Sequence, residues 1–332
     1  MIPFRSLHSI GIVSIRFCLV SVSLVCFGLV ASVSAEPLRV VSYNVENLFY
    51  PERDSIEGMP RDDAEWTPEG ERHWSYTRYS RKVENIARVL TNIGRWSGVD
   101  VVGLQEVENA RCVERLSNTL RRGEYGYVHY ESPDRRGIDV ALLYKRSRVD
   151  TLRSERMKVR GETNGEELTT RDILYVCARV DRKDTLHFFV CHLPSQRGGI
   201  AESEWKRKAA KAVLQRAVDS ILHISPEAQI IVMGDMNSHP EDDLSGLRNR
   251  MKGLMDEWTS ESVGGTHKYH GQWTCLDQFY TSPAVEGKVY IYDAAWILEP
   301  DEKYLGLRPK RTYNGFQYQN GFSDHLPIVL EK

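Results

Sequence analysis

The chain has 332 residues, of which 41% are hydrophobic and 27% are charged, and its formal net charge is −2 at pH 7. This balance is typical of a globular protein with enough apolar material for a large core. The slightly acidic charge excludes a protein that grips long nucleic acid through a generally basic surface. Any nucleic-acid substrate would therefore have to bind at a local basic patch.

The first 35 residues predict a cleaved export signal. Arg5 and Arg16 precede an apolar run over residues 17–32, and Val33-Ser34-Ala35 supplies the small residues of a cleavage site. A single membrane anchor is the alternative, although the run is shorter than the roughly 20 residues that span a bilayer. We expect cleavage after Ala35 and export to a periplasm or to the outside of the cell.

The rest of the chain, residues 36–332, predicts one compact domain because it shows no internal repeat and no low-complexity linker. A lipid anchor at Cys26 is disfavoured because Val25 is bulkier than the small residue expected before a lipidated cysteine.

Four cysteines remain after cleavage, and they have no close paired spacing for zinc. Export permits disulfides, but two of the four lie in apolar strand-like runs, where buried free thiols are at least as consistent with the pattern. The cysteines are Cys112, Cys177, Cys191 and Cys275.

The predicted domain opens with a strand over residues 38–49, which carries Asn44 and Glu46 two residues apart and therefore on one face. Residues 50–75 are polar and predict a surface loop, whose aromatic residues either line a substrate rim or, as we favour, anchor the loop on the protein body. Apolar residues at helical spacing over 83–93 predict an amphipathic helix that covers a sheet.

A second apolar strand, residues 99–106, ends in Glu106. A helix over 113–120 follows, and then two strands at 125–131 and 137–144. This alternation of strands and helices indicates a sheet with helices on one face.

The charged residues 145–170 are interpreted as a connection. Two strand-like runs at 172–180 and 185–193, separated by a polar turn, then predict a hairpin. The second run ends in His192, and a turn-rich segment with Arg197 follows it.

A helix over residues 205–221 leads to a central apolar strand that starts at Ala228 and ends in Gly234. Glycine permits a tight turn there, so Asp235 and Asn237 project together from the edge at which α/β sheets bind ligands. Three further strand-like runs close the chain, at residues 276–281, 288–297 and 321–330.

Acidic and amide side chains thus end several of the predicted strands. Carboxylates gathered at one edge repel one another unless a cation neutralises them, and an all-oxygen set suits Mg²⁺ or Mn²⁺ rather than zinc. His192 and His325 accompany this set, and a histidine beside an aspartate can act as an acid, a base or a phosphate contact. The set comprises Asn44, Glu46, Glu106, Asp235, Asn237, Asp277 and Asp324.

Six short motifs occur along the chain: Ser42-Tyr-Asn-Val-Glu46, Gly103-Leu-Gln-Glu106, His192-Leu-Pro-Ser195, Gly234-Asp-Met-Asn237, Leu276-Asp277 and Ser323-Asp-His-Leu-Pro327. In order and rough spacing they resemble the endonuclease/exonuclease/phosphatase superfamily over residues 38–331. The resemblance implies an α/β fold, a four-layer sandwich of two mixed sheets packed face to face with helices outside. It also implies Mg²⁺-dependent hydrolysis of a phosphoester by in-line attack of water.

The resemblance further implies roles for individual metal ligands. Glu106 resembles the principal ligand of the metal. Asn44, Glu46 and Asp324 would lie in or near its coordination shell. Glu46 departs from the family pattern, because many members have aspartate or another residue there.

The catalytic roles are implied in the same way. Asp235 resembles the group that orients and activates the attacking water, and Asn237 and His192 would contact the phosphate oxygens. His192 could also assist the leaving group. His325 resembles the essential histidine, which Asp277 would orient.

Two arginines are candidate phosphate contacts. Arg197 follows His192 in a glycine-rich turn suited to phosphate. Arg171 and Asp139 resemble residues at the edge of the site, although a structural salt bridge at a strand end explains them equally well. Leu276-Asp-Gln278 departs from the commoner Asp-His pairing of the family, which leaves the role of Gln278 open.

The leading hypothesis is an exported Mg²⁺-dependent nuclease or phosphodiesterase, with Mn²⁺ as the alternative metal. A phosphomonoesterase acting on a phosphorylated lipid, inositol or sugar is the second interpretation, and a catalytically silent binding protein is the third. The expected partner is the phosphoester substrate, either a nucleic acid or a small phosphorylated molecule. The sequence indicates no stable protein partner, and we expect a monomer.

Overall fold

The structure is a computed structural model that describes residues 36–332 except 54–60, 164–165, 197–198, 242–246, 257, 259 and 261. The predicted export signal and Arg197 lie outside the described residues. No described helix is both long and apolar enough to cross a membrane.

Three α-helices and twenty strands form the described fold. The helices are α1 (Tyr76–Gly94), α2 (Ala110–Arg121) and α3 (Ile200–Ile224). The strands are β1 (Arg39–Leu48), β2 (Val101–Val107), β3 (Tyr125–His129), β4 (Asp139–Lys145), β5 (Val149–Met157), β6 (Glu162–Thr163), β7 (Glu166–Glu167), β8 (Ile173–Val180), β9 (Asp184–His192), β10 (Gln229–Asp235), β11 (Lys252–Gly253), β12 (His267–Tyr269), β13 (Gln272–Thr274), β14 (Asp277–Thr281), β15 (Lys288–Ile291), β16 (Leu298–Pro300), β17 (Leu307–Pro309), β18 (Tyr313–Asn314), β19 (Gln317–Tyr318) and β20 (Ile328–Glu331).

Twelve of these strands form two six-stranded sheets. The first sheet has the order β15-β20-β1-β2-β4-β3, and the second has the order β11-β14-β10-β9-β8-β5. In the first sheet β1 runs parallel to β2, and in the second β10 runs parallel to β9, whereas all other neighbours are antiparallel. Both sheets are therefore mixed.

The two sheets pack face to face, and this is why their central strands are apolar on both sides. Every residue of β2 is buried, as expected for a strand that is covered on both faces. The approach is close at Gly103, where a Cβ atom would lie 2.9 Å from the sulfur of Met233 in β10. A larger residue at position 103 would require the side chain of Met233 to move.

The helices cover the outer faces of the sheets. α1 begins where the side chain of Ser75 accepts a hydrogen bond from the backbone N–H of Arg78, and its apolar side packs with α2 on the first sheet. Leu214 and Val218 of α3 belong to a second apolar cluster with Ile230 of β10. The predicted four-layer α/β sandwich is confirmed.

Some predicted boundaries were wrong. The connection predicted over 145–170 contains β5, which pairs antiparallel with β8 along its whole length. β5 is an edge strand with only Val149 buried, so its sequence lacks the alternation that marks a strand with one face in the core. The strand predicted over 288–297 ends at Ile291 and is followed by a 3₁₀ turn, Ala295–Ile297.

Two open questions from the sequence are answered. In the polar stretch after β1, Trp66 and Trp74 are buried, and the indole N–H of Trp74 donates to the carbonyl of Phe49 at 2.8 Å. The aromatic residues therefore anchor this loop. Among the described residues, all four cysteines are free thiols.

Candidate active site

The predicted site residues come together where strands of both sheets end. The parallel pairing of β10 with β9 places Asp235 opposite His192, and its antiparallel pairing with β14 places Asp235 opposite Asp277. From the first sheet, Asn44 donates a hydrogen bond from Nδ2 to Oδ2 of Asp235 at 3.1 Å. One carboxylate thus connects the ends of both sheets.

The backbone at these strand ends has an uncommon conformation. Glu46, Glu106 and Asn237 have positive φ angles of 52°, 64° and 47°, which non-glycine residues rarely adopt and which often mark functional sites. Gly234 has a φ of 144°, and a Cβ atom there would lie 1.9 Å from the carbonyl oxygen of Cys191. Only glycine fits at this turn, which directs Asp235 and Asn237 into the site.

A histidine and an aspartate form a buried pair in the site. Nδ1 of His325 lies 2.8 Å from Oδ2 of the fully buried Asp277. Burial alone would lower the pKa of His325, but the carboxylates of Asp277, Asp235 and Asp324 outweigh burial and raise this pKa well above its usual value. His325 is therefore an imidazolium at neutral pH, and its Nε2 lies 3.9 Å from Asp235.

Asp235 is the carboxylate that can exchange a proton near neutral pH. Burial raises its pKa to about 7, aided by the charge of Asp277 and opposed by the charge of His325. Its Oδ1 accepts a hydrogen bond from the backbone N–H of Asn237 at 2.9 Å. A pKa near the working pH is what a general base requires.

His192 is a neutral histidine beside this carboxylate. Its Nε2 lies 3.6 Å from Asp235 and 3.9 Å from Glu106. Burial, together with the positive charges of Arg171 and Arg136, holds the pKa of His192 well below its usual value. Its Nδ1 is buried and has no hydrogen-bond partner among the described residues.

Arg171 lies behind this histidine and holds its backbone. Nε and Nη2 of Arg171 donate to the carbonyls of His192 and Leu193 at 3.1 and 2.9 Å, and Nη1 donates to Asp134 at 2.9 Å. Asn237 also donates to the Leu193 carbonyl, at 2.9 Å. A direct contact between Arg171 and phosphate stays a prediction. The alternative explanation of Arg171 from the sequence, a structural salt bridge, is present as its contact with Asp134.

Each of the three acidic residues predicted to hold a metal faces a cationic side chain. Oε1 of Glu106 lies 3.4 Å from Nη2 of Arg136. Glu46 lies 3.8 Å from Nζ of Lys82, and Oδ2 of Asp324 accepts from Nη2 of Arg311 at 2.7 Å. These cations offset part of the repulsion that we expected between the carboxylates, although the charge of Asp324 still acts on Glu46. The sequence did not show where the neutralising cations would lie.

The pKa values of Glu46 and Asp324 reflect their surroundings. Burial and the charge of Asp324 raise the pKa of Glu46, although Lys82 and Arg311 oppose the shift. Burial would also raise the pKa of Asp324, but His325 and Arg311 outweigh it and lower the value to about 2. Asp324 is therefore fully ionised at neutral pH and available to a cation.

Two groups of the described residues have metal-ligand types with ligand atoms within 4.8 Å of one another. One group at the site is His267, Asp324 and His325, and the other is His129, Glu131 and Asp139. Of the four predicted ligands, only Asp324 belongs to either group. Nevertheless, the four offer carboxylate and amide oxygens, so their chemistry fits a hard divalent cation.

Sequence reasoning missed three residues of the site. Lys82 of α1 is buried, whereas a lysine on a helix that covers a sheet normally faces solvent. The ring of His267 packs against that of His325 with centroids 4.8 Å apart, and burial lowers the pKa of His267 to about 4. Arg311 follows a stretch without a recognisable pattern. The contact of Arg136 with Glu106 could have been found only from the fold.

Solved structures of other proteins share this fold. An endonuclease/exonuclease/phosphatase family protein from Bacteroides thetaiotaomicron is 16% identical, with 89% of this chain and 96% of that chain covered and a TM-score of 0.58. The mannosyl-6-phosphatase of the same organism is 14% identical, with 89% and 98% covered and a TM-score of 0.59. Truncated TDP2 from Caenorhabditis elegans is 16% identical, with 89% and 98% covered and a TM-score of 0.54.

The sandwich and the polar site at its strand ends thus define the class of fold on which phosphoester hydrolases are built. The sequence profile of the Endonuclease/Exonuclease/phosphatase family matches residues 39–332, and the chain belongs to this family. Members of the family are hydrolases that act on phosphoesters. Curated protein sequences gave no significant match.

Proposed function

We propose that the protein is an exported phosphoester hydrolase that requires a divalent cation, with phosphodiesters, including nucleic acid, as the leading substrate class. The observation that carries this proposal is the arrangement of Asp235 between two histidines. Asp235 has a pKa of about 7. Of its two neighbours, His325 is charged and His192 is neutral at this pH. Groups whose protonation states differ in this way are typical of acid–base sites.

The proposed roles follow from these protonation states. Asp235 accepts a proton from the attacking water. His325 stays positively charged because Asp277 holds it, and it stabilises negative charge on the phosphoryl oxygens. His192 is neutral, so its ring can donate a hydrogen bond to phosphate or to the leaving group, and Asn237 lies beside it.

The proposed cation site consists of Glu106, Asn44, Glu46 and Asp324. Their oxygen atoms suit Mg²⁺ or Mn²⁺. A bound cation would neutralise charge that develops on the phosphoryl oxygens. Arg171 has a positioning role in this scheme because it fixes the backbone of His192.

A phosphomonoesterase is the second candidate, and the arginines at the site favour it. Arg136 and Arg311 approach the site carboxylates with side chains that are 35% and 36% exposed, so they can reach a ligand. A terminal phosphate carries more charge than a diester and gains more from such contacts. A phosphorylated sugar, inositol or lipid is the expected substrate in this case, and one solved structure with this fold is a mannosyl-6-phosphatase.

A substrate screen tests both candidates. The protein would be incubated with plasmid DNA, RNA, bis-nitrophenyl phosphate, a sugar phosphate and phosphoinositides, with Mg²⁺ and with a chelator. Cation-dependent cleavage of a diester supports the leading proposal, and release of phosphate from a monoester supports the second. No cation-dependent hydrolysis of any substrate would contradict both and favour a silent binding protein.

Export is proposed from the sequence of residues 1–35. We expect N-terminal sequencing of the exported protein to begin at Glu36, because the basic start, the apolar run and the small residues before it form one signal. A mature protein that retains Arg5, or that carries a lipid on Cys26, would contradict this expectation.

A further inference from the structure

Arg311 lies between two carboxylates of the proposed cation site, the buried Glu46 and the half-buried Asp324. Its Nη2 donates to Oδ2 of Asp324 at 2.7 Å, and its Nε lies 3.7 Å from Oε1 of Glu46. The side chain of Arg311 is 36% exposed, whereas that of Glu46 is 6% exposed. The arginine therefore reaches the carboxylates from the solvent side.

The backbone around Arg311 is held at several points. The N–H of Lys310 donates to the carbonyl of Ile297 at 2.9 Å, and the N–H of Thr312 donates to Oε2 of Glu46 at 2.6 Å. A Cβ atom at Gly321 would lie 2.0 Å from the carbonyl oxygen of Arg311. The side chain thus starts from a fixed position beside the site.

The guanidinium group is held less completely than its backbone. Nε is buried and makes no hydrogen bond within the described residues, and the contact with Glu46 is longer than a hydrogen bond. The close contact that holds the group is the one to Asp324. Loss of the Asp324 contact would leave the guanidinium free to turn toward solvent.

The other cation beside Glu46 has no such freedom. Nζ of Lys82 donates to the carbonyl of Phe322 at 2.6 Å and also to the hydroxyl of Thr312, and the side chain is fully buried. If a divalent cation took over the charge of Glu46 and Asp324, repulsion between like charges would act on both side chains. Of these two side chains, that of Arg311 is the one that can move away from the bound cation.

We propose that Arg311 neutralises Glu46 and Asp324 in the metal-free protein, and that it turns to bind the phosphoryl oxygens of the substrate when a divalent cation occupies these carboxylates. The inference rests on the proposed function. A guanidinium presents paired N–H donors that match phosphate oxygens, so one side chain can serve both partners. Arg136 is less suited to this exchange, since it donates at 2.8 Å to the neutral amide of Asn47.

If Arg311 exchanges partners in this way, replacing it should change the affinities for Mg²⁺ and for inorganic phosphate in opposite directions. In Arg311→Met, Mg²⁺ titrated calorimetrically into chelated protein should bind about fivefold more tightly, because a competing positive charge is gone. Inorganic phosphate, titrated at saturating Mg²⁺, should bind at least about tenfold more weakly, because a charge-assisted hydrogen bond is lost. Arg311→Lys keeps the charge, so its Mg²⁺ affinity should stay near that of the wild type.

Arg308→Met is the matched control. Arg308 is similarly exposed and loses a comparable ion pair, with Glu299 at 2.9 Å, but it does not contact the site carboxylates. Both affinities of this variant should equal those of the wild type.

Arg311→Met would overturn the exchange if it weakened the binding of both ligands, since Arg311 would then only support the fold, or if it changed neither. Wild-type protein that binds no divalent cation would instead contradict the proposed function itself. The two failures are distinguished because the second is seen before any substitution is made.

Discussion

At the scale of single residues, the site depends on buried charges that offset one another. Asp277 is fully buried, and its Oδ2 is hydrogen-bonded to Nδ1 of His325 at 2.8 Å. A buried carboxylate without such a partner would be costly. The pair therefore fixes both the orientation and the charge of the histidine, and catalysis should be sensitive to either.

Asp277→Asn should reduce turnover by roughly 10²- to 10⁴-fold, the range of a general acid–base contribution, with a much smaller effect on KM. The amide cannot support the charged form of His325, so the pKa of this histidine should fall. Steady-state kinetics from pH 6 to 9 and NMR titration of the histidine measure the two effects, and circular dichroism checks the fold. Wild-type turnover across this pH range would contradict the pairing as a catalytic device.

The raised pKa of Asp235 predicts how the stability of the metal-free protein depends on pH. The unfolded chain releases this proton near pH 4, at about the normal pKa of aspartate, whereas the folded protein holds it until about pH 7. The folded state binds the extra proton between these values, so the free energy of unfolding falls as the pH rises from about 4 to about 7. His325, whose pKa is also raised, continues the decline above pH 7.

Asp235→Asn should remove part of the decline in melting temperature between pH 4 and pH 7, measured with chelator. Asp181→Asn is the control. The Asp181 carboxylate is exposed and its pKa is lowered by a hydrogen bond from Arg148, so it releases its proton below this window in the folded state and at the lower edge of the window in the unfolded state. Equal slopes in Asp235→Asn and the wild type would show that Asp235 ionises normally.

Chemistry-bearing residues at strand ends were predictable from sequence, because short polar residues after an apolar run stand out. Their cationic neighbours were not. Lys82 and Arg311 both face Glu46 but lie 36 or more positions away in the chain, and no local pattern connects them. Only the fold shows that they neutralise the carboxylates.

At the scale of elements, the end of β10 determines the geometry of the site. Gly234 precedes Asp235, which is the last residue of β10, and has a φ of 144°. Its missing side chain lets β10 pass close to the carbonyl of Cys191 in β9. Because β9 carries His192 at its own end, this close approach also sets the distance between His192 and Asp235.

Gly234→Ala should destabilise the protein by more than about 3 kcal/mol, since backbone strain adds to a clash with backbone. Gly123→Ala is the matched control, because Gly123 also has a positive φ, 83°, but nothing lies within 4 Å of its missing Cβ. The control should lose about 1–2 kcal/mol. Urea denaturation of both variants measures the difference, and equal losses would show that β10 can move away from β9.

Strands that are covered on both faces were easier to predict than edge strands. β1 and β10 are buried along nearly their whole length, and β10 contains a continuous apolar run before Gly234. β5 forms through backbone pairing with β8 while most of its side chains are exposed or half-buried. Backbone pairing leaves no trace in side-chain polarity, so the sequence predicts a connection where β5 forms.

At the scale of the whole molecule, the site exists only because two sheets are packed together. Asn44 and Glu106 come from the first sheet, whereas Asp235, His192 and Asp277 come from the second. The hydrogen bond between Asn44 and Asp235 crosses from one sheet to the other. Any ligand that binds residues of both sheets should therefore stabilise the whole sandwich rather than one element.

Mg²⁺ or Mn²⁺ should restore activity after chelation and also raise the melting temperature, because a ligand that binds only the folded state stabilises it by mass action, by about 2.7 kcal/mol at a concentration of 100 times Kd. Glu106→Gln keeps the size of the side chain and removes its charge. We expect it to weaken cation binding by more than about tenfold, since even the loss of residues that only support metal ligands costs that much.

The metal-free variant tests the charge balance of the site. An amide at position 106 would leave the guanidinium of Arg136, which lies 3.4 Å from the carboxylate of Glu106, without its ion pair. Metal-free Glu106→Gln should therefore melt no higher than the metal-free wild type. A higher melting temperature would show that repulsion among carboxylates outweighs this pair.

Glu155→Gln is the control for the cation titration, because the Glu155 side chain is 41% exposed and pairs with Arg153 at 2.6 Å on the edge strand β5. Mg²⁺ would be titrated against melting temperature and turnover in both variants and in the wild type. The control should respond like the wild type, whereas both responses should shift together to higher Mg²⁺ in Glu106→Gln. An equal cation response in all three proteins would remove Glu106 from the cation site, and the assignment of Asn44, Glu46 and Asp324 would lose its support.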